Sequence, residues 1–333
     1  KKINSVDNGV EWRMVDLFSI SSSTEALKGA DYALYLVHSM QPSTRLNQSN
    51  FEDTDLLLAD NFSRAAEECN LKHIVYVGGI LPKDNLNISK HLQSRFEVEQ
   101  VLGSRKTPLT TIRAGIIIGP GGSSFRIIEK LVTNLPVMAC PEWTKSKNQP
   151  VDLRVALKAI EKIFGQPEHF NKPIEIGGNE IVTYMDVLKI TAKEMKKKRW
   201  IFSIPFFSLG MSKLWVGVFS GSNSNFVSPL IESLRHDMTL EDKVTIKELP
   251  TFSLKETIKR ASDKTIKIPS TPKGVPPKKD KNTHTLIPGP SYTIPDNKLE
   301  EFYKIYHNSI FNKKCKFMMV ERLQDVCSLV IDL

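Results

Sequence analysis

Residues 32–38 (YALYLVH) form a nearly unbroken apolar run of strand length, and a strand that is apolar on both sides must be covered on both faces. Strands of that kind belong to parallel sheets held between helices, and the flanking sequence supplies the helices. Residues 51–69 place Leu56, Leu57, Ala59, Phe62, Ala65 and Ala66 on one broad face at helical spacing. Residues 10–17 (VEWRMVDL), 73–77 and 109–118 read as further strands, and residues 22–29 and 89–102 as further helices. This alternation predicts right-handed βαβ crossovers and an α/β fold built on a doubly wound parallel sheet.

Past Gly119 the pattern loosens into helices at 124–133, 152–164 and 184–197 around a short strand at 173–176. The expectation is a small lobe, about residues 120–250, on the carboxyl side of the sheet, where open α/β sheets bind their ligands. Residues 201–219 (IFSIPFFSLGMSKLWVGVF) are the most hydrophobic stretch. Pro205, Gly210 and Lys213 interrupt it, so no transmembrane segment is expected. A buried helix pair or pocket wall is the leading reading, and contact with a membrane surface the lesser one. Residues 1–250 are thus taken as one body with its lobe, 251–282 as a Pro- and Lys-rich linker, and 283–333 as a separate α/β segment. Neither end reads as a natural boundary, which predicts a fragment.

Charge narrows the function classes. The chain has 46 basic and 37 acidic side chains, a net +9, of which residues 251–333 contribute 15 against 9. A near-neutral body with a basic tail argues against nucleic-acid binding by the body and leaves it open for the tail alone. The four cysteines (Cys69, Cys140, Cys315, Cys327) lack paired spacing, so neither a zinc site nor a disulfide framework is expected. No apolar leader opens the sequence, and the expected location is the cytoplasm. The histidines and carboxylates show no metal-ligand spacing.

Three predicted strands end in short phrases that belong together: Val15-Asp16-Leu17, Leu36-Val37-His38-Ser39-Met40 and Val77-Gly78-Gly79. With GADYALYLVHSM, AAEECNLKHIVYVGGI, TTIRAGIIIGPG, QPVDLR and IEIGGNEIVTYMDVL in that order, residues 10–242 resemble the atypical short-chain dehydrogenase/reductase proteins. These are Rossmann-type NAD(P)-binding proteins related to sugar epimerases and to nitrogen-regulator-like sensors. The resemblance implies NAD or NADP as cofactor and a small-molecule substrate. It implies Asp16 and Leu17 at the adenine, Leu36, Val37, His38, Ser39 and Met40 under the ribose and pyrophosphate, and Gly78 and Gly79 near the nicotinamide. Arg113, Gly115 and Trp143 would border the substrate.

The sequence departs from that family twice. Its glycine-rich phosphate loop precedes the strand matching residues 10–17 and is not found here, so weak dinucleotide binding is expected. Gly119-Pro120-Gly121-Gly122 does not replace it, because Pro120 lacks an amide proton, and it reads as a turn. The family's Tyr-x-x-x-Lys pair is also missing. The matching helix carries His91 and Arg95, one turn apart on one face. An imidazole there is the candidate acid-base group and Arg95 the ribose contact, though a merely solvated His91 is the simpler reading. Two functions follow: an oxidoreductase or epimerase on a small molecule, or a sensor or scaffold that binds the dinucleotide without turnover.

Residues 283–333, with GPSYTIP, LEEFYKIY and SLVIDL, are similar to the start of the archaeo-eukaryotic-type primase domain of large DNA viruses. Asp332 would match that family's first metal-binding aspartate, and one carboxylate alone does not hold catalytic magnesium. The third reading is therefore a composite chain with a primase-like tail that stands apart from the body.

Overall fold

The computed structural model describes residues 5–7, 10–12, 15–37, 51–82, 88–204, 233–240, 246, 248–266 and 317–320. At its centre is a parallel sheet whose described strands run in the order β10 (Lys172–Ile176), β5 (Leu109–Ala114), β4 (His73–Gly79), β3 (Tyr32–Tyr35) and β13 (Phe317–Val320). Strand alternation divides the core into two layers. Ala33, Tyr35, Val37, Ile74 and Tyr76 face helices α1 (Ile20–Leu27), α2 (Phe51–Glu68) and α3 (Lys90–Leu102), packing on Leu27, Leu58, Phe62, Val98 and Leu102. Leu34, Leu36, Val75, Ile112, Ala114 and Ile174 face the other way, onto Val155, Ala159, Ile160 and Ile163 of helix α5 (Leu153–Ile163). Covered on both faces, β3 is as apolar as its burial requires. The doubly wound α/β expectation is borne out.

The helices begin where side chains satisfy their first amides. Ser89 accepts from Leu92 N ahead of α3, and Asp152 from Arg154 N ahead of α5. Thr183 and Asp186 form a capping box on helix α6 (Tyr184–Glu194). The small lobe contains α6, helix α4 (Ser123–Asn134) and the short strands β7 (Val137–Cys140) and β12 (Trp200–Ser203), which pair in parallel. Residues 119–122 form the expected turn, closed by Gly122 N donating to Gly119 O. Strand 109–118 is broken: β5 ends at Ala114, and β6 (Ile117–Ile118) pairs instead with β9 (Val151–Asp152).

Three expectations are corrected. The described residues of 10–17 do not join the parallel sheet. Among them β2 (Val10–Trp12) pairs antiparallel with β1 (Ser5–Asp7). The chain then turns at Leu17–Phe18 into α1, whose N-cap is Ser19. Second, the supposed linker 251–282 opens with helix α7 (Leu254–Ala261). A Ser253–Glu256 capping box starts it, and Leu254, Ile258 and Ala261 are buried against Ile118, Phe125 and Val187. The body therefore continues past residue 250, and the Pro- and Lys-rich run 267–282 lies outside the described residues. Third, the tail does not stand wholly apart, because β13 pairs with β3 along its full length, from Phe317 opposite Tyr32 to Val320 opposite Tyr35. Of residues 201–219, 201–203 complete β12 and 205–219 lie outside the described residues.

Candidate functional site

Parallel pairing sets the strand ends in register. Tyr35 lies opposite Tyr76, Gly78 opposite Arg113, and Gly79 opposite Ala114, which in turn lies opposite Ile176. Leu36-Val37, Gly78-Gly79, Gly115 and Gly177 therefore share the carboxyl edge, the usual ligand edge of such a sheet. His38, Ser39 and Met40 lie outside the described residues. Asp16 is in the turn before α1, where its carboxylate accepts from Phe18 N (3.2 Å) and its own amide donates to Ser22 Oγ (3.0 Å). Leu17 is buried in the core against the α2 layer, its carbonyl accepting from Asn61 Nδ2 at 2.9 Å. Neither residue ends a strand of the parallel sheet, so the sequence reading was wrong about how they are held.

On α3, His91 and Arg95 do meet. Arg95 Nε donates to His91 Nε2 at 3.2 Å, and His91 is buried rather than solvated. A ring nitrogen that accepts from a guanidinium carries no proton to give, which works against His91 as a general acid through Nε2. Arg95 also reaches the sheet edge, since a Cβ added at Gly79 would stand 3.7 Å from Arg95 Cδ and 3.0 Å from Leu92 Cδ2. Tyr76 is the nearest phenol in sequence. Its hydroxyl donates to Arg95 O at 3.4 Å, and burial pushes it well above the ordinary tyrosine range.

Arg113 does not border the cleft as expected. Its alternation places it on the α3 side of the sheet, where Nε and Nη2 donate to the two oxygens of Glu99 at 3.1 and 2.7 Å. A guanidinium this largely buried needs such a bidentate partner. Gly115 lies just past the end of β5, where an added Cβ would have Gln149 O at 3.6 Å and Ile80 Cδ1 at 3.7 Å. Gln149, part of the QPVDLR phrase but not singled out, ties distant segments together here. Its Oε1 accepts from Leu240 N (2.7 Å) and its Nε2 donates to Gly178 O (3.1 Å). Met238 then packs on Ile80 and Leu92, with Leu240 against the same cluster. No periodicity in 233–240 announces this role.

Trp143 stands edge-on to Tyr184, ring centroids 6.1 Å apart. Trp143 Nε1, Tyr184 Oη and Asn148 Oδ1 are buried and have no hydrogen-bond partner among the described residues. Burial and the neighbouring Asp237 hold the Tyr184 hydroxyl well above its ordinary range. Burial pushes the Cys140 thiol up to about 11, so it is no nucleophile near neutral pH. Among the described residues no group of His, Cys, Asp and Glu is placed to hold a metal.

A nicotinamide ring laid on this edge would lie at Gly78-Gly79 with Arg95 alongside; an added Cβ would stand 3.2 Å from Tyr76 Cε1 at Gly78 and 3.0 Å from Leu92 Cδ2 at Gly79, so the chain's own side chains pack closely there. For the diphosphate, the amides of Leu92 and Gln93 in the first turn of α3 are already taken by Ser89, and the sequence contains no glycine-rich GxGxxG or GxxGxxG run.

Solved structures share this fold. A nucleoside-diphosphate-sugar epimerase of Staphylococcus aureus superposes with a TM-score of 0.56 at 14% identity, over 76% of this chain and 84% of that one. Triphenylmethane reductase of Citrobacter sp., solved with NADP(H), gives 0.57 at 17% over 76% and 84%. An NADPH-dependent quinone oxidoreductase of Escherichia coli, solved with NADPH, gives 0.52 at 17% over 75% and 83%. In sequence, the auxiliary protein GraX of Staphylococcus aureus (strain NCTC 8325 / PS 47) is 28% identical over 113 residues, 33% of this chain. The chain spans only 32% of the length of that curated relative. The family profile of the C962R protein N-terminal AEP domain matches residues 283–333, in line with the primase-like resemblance of the tail.

Proposed function

We propose that the body of this chain is an NAD(P)-binding protein of the atypical short-chain dehydrogenase/reductase kind. It holds the dinucleotide along the carboxyl edge of β3, β4 and β5 and acts as an oxidoreductase or epimerase on a small molecule. The observation that carries this reading is the meeting of Leu36-Val37, Gly78-Gly79, Arg95 and Gly115 at one sheet edge. The relatives solved with NADP(H) and NADPH support the cofactor class. When bound, the dinucleotide supplies or accepts a hydride. Gly78 and Gly79 let the ring approach the backbone, Arg95 holds a ribose hydroxyl, and Gln149 fixes the floor beneath the substrate. The polar atoms of Trp143, Tyr184 and Asn148 favour a substrate with hydrogen-bonding groups. Free Cys69 and Cys140 thiols fit a reducing, cytoplasmic setting.

The test is a titration with NADPH followed by nicotinamide fluorescence. Weak, saturable binding that Arg95→Ala reduces severalfold is expected. Affinity unchanged in Arg95→Ala would remove Arg95 from the site. A second reading, binding without turnover, is favoured by the Arg95-to-His91 hydrogen bond, which leaves no proton donor at His91 Nε2. NADPH that binds but is not consumed with quinone, dye or nucleotide-sugar substrates would select it. A nucleic-acid role for the tail rests on the family match at 283–333 alone, and Asp332 lies outside the described residues.

A further inference from the structure

We infer that the ribbon formed by β7 and β12 is a docking surface for an anionic lipid bilayer. Its two strands are parallel, with Val137 opposite Trp200 and Phe202 opposite Ala139. Side chains alternate between faces along each strand. Met138, Cys140 and Ile201 point into a core with Leu131, Val132 and Leu188 from α4 and α6. The opposite face presents Val137, Trp200 and Phe202, which are 51%, 76% and 46% exposed. Trp200 and Phe202 are two residues apart on one strand and so stand side by side, with Val137 completing the patch. The described residues contain few other large apolar side chains this exposed, and a contiguous patch of that kind marks an interaction surface.

The charge beside the patch identifies the partner. Lys196, Lys197, Lys198 and Arg199 lead directly into Trp200. Arg199 is structural: its guanidinium donates to Val132 O at 2.7 Å and to Thr133 O at 3.2 Å, which fixes the ribbon against the end of α4. Lys196 and Lys198 are exposed, and no ion pair among the described residues engages Lys196, Lys197 or Lys198. Aromatic side chains beside unpaired cations match the headgroup region of a membrane, where rings insert at the interface and ammonium groups meet anionic lipid. No described helix is long and apolar enough to cross a membrane, so the contact is with the surface. An aliphatic member such as Val137 suits acyl chains and adds nothing to base stacking, which favours lipid over nucleic acid.

Flotation of the full chain with vesicles tests this. Binding is expected to phosphatidylcholine vesicles containing phosphatidylserine, with much weaker binding to phosphatidylcholine alone and a decline as salt is raised. The Trp200→Ser/Phe202→Ser variant should lose at least ~10-fold in vesicle affinity while its melting temperature falls by no more than a few degrees, since Trp200 is mostly and Phe202 about half exposed. Each of Lys196→Gln and Lys198→Gln should lose about fivefold on the anionic vesicles. No binding to anionic vesicles by the unaltered chain, or equal binding by the Trp200→Ser/Phe202→Ser variant, would overturn the inference. So would a dimer seen by light scattering that this variant abolishes, or retention of a single-stranded oligonucleotide in place of vesicles.

Discussion

Acidification should unfold this body partly through one side chain, His73. It is fully buried at the start of β4, between Phe170 (centroids 4.5 Å) and Phe164 (6.2 Å). Nδ1 accepts from Gly165 N at 3.2 Å, and Thr110 Oγ1 donates its own proton to His169 O at 2.6 Å. Nε2 must then carry the ring proton and donate it to Thr110 Oγ1 at 2.9 Å. The ring is neutral and satisfied, with no acceptor left for a second proton. Burial, and secondarily His169, lowers its pKa from 6.5 to about 4. Because the folded value lies below the unfolded one, the unfolded chain takes the proton first as pH falls. The contribution of neutral His73 is complete above about pH 6.5 and is lost progressively down to about pH 4. The fall from 6.5 to about 4, at ~1.4 kcal/mol for each pH unit, amounts to about 3.5 kcal/mol. Urea unfolding across that range should show this loss in the unaltered protein and a shallower pH slope in His73→Asn, whatever that variant's own offset. Parallel slopes, or a His73 Cε1 proton resonance that titrates near the ordinary histidine value, would refute the reasoning.

Four further outcomes are expected. Glu99→Gln or Arg113→Met should cost about 3–5 kcal/mol in denaturant unfolding, because each leaves a largely buried charge alone, while NADPH affinity stays unchanged; a loss confined to affinity would return Arg113 to the substrate side. Gly165 sits at φ +67° with an added Cβ 2.9 Å from Tyr32 Oη, so Gly165→Ala should destabilise by about 1–3 kcal/mol in the same assay. Thr183→Ala, which removes half of the capping box on α6, should cost about 1 kcal/mol and lower the melting temperature by a few degrees. Cys140 should resist iodoacetamide in the folded protein at neutral pH and react at the normal thiol rate once urea unfolds the chain.

The layers were legible in the sequence because burial on both faces leaves no room for polar residues: YALYLVH in β3 and HIVYVGG in β4 read as covered strands and are covered strands. The shared edge of Leu36-Val37, Gly78-Gly79 and Gly115 followed from strand order alone. What failed has local causes. VEWRMVDL alternates like a strand, yet the Ser-rich stretch beyond it caps α1 and turns the chain at Asp16. Arg113 was misplaced because a single strand residue does not reveal its face; only Glu99, fourteen positions earlier on α3, decides it. Helix α7 is masked in the sequence by the Pro- and Lys-rich run that follows it, although Ser253-x-x-Glu256 is a capping signature. The pairing of β13 with β3 joins residues almost 300 positions apart, and no local pattern announces such a contact. Gln149 was missed for the same reason, since its partners, Gly178 and Leu240, lie far along the chain.

The most direct test of the dinucleotide edge is hydrogen exchange of the full chain with and without saturating NADPH. Slowed exchange at Leu36-Val37 and at Gly78-Gly79, with residues 119–122 unchanged, is the expected result. Protection at 119–122 in place of the β3 and β4 ends, or no protection anywhere at saturation, would contradict a dinucleotide site on this edge.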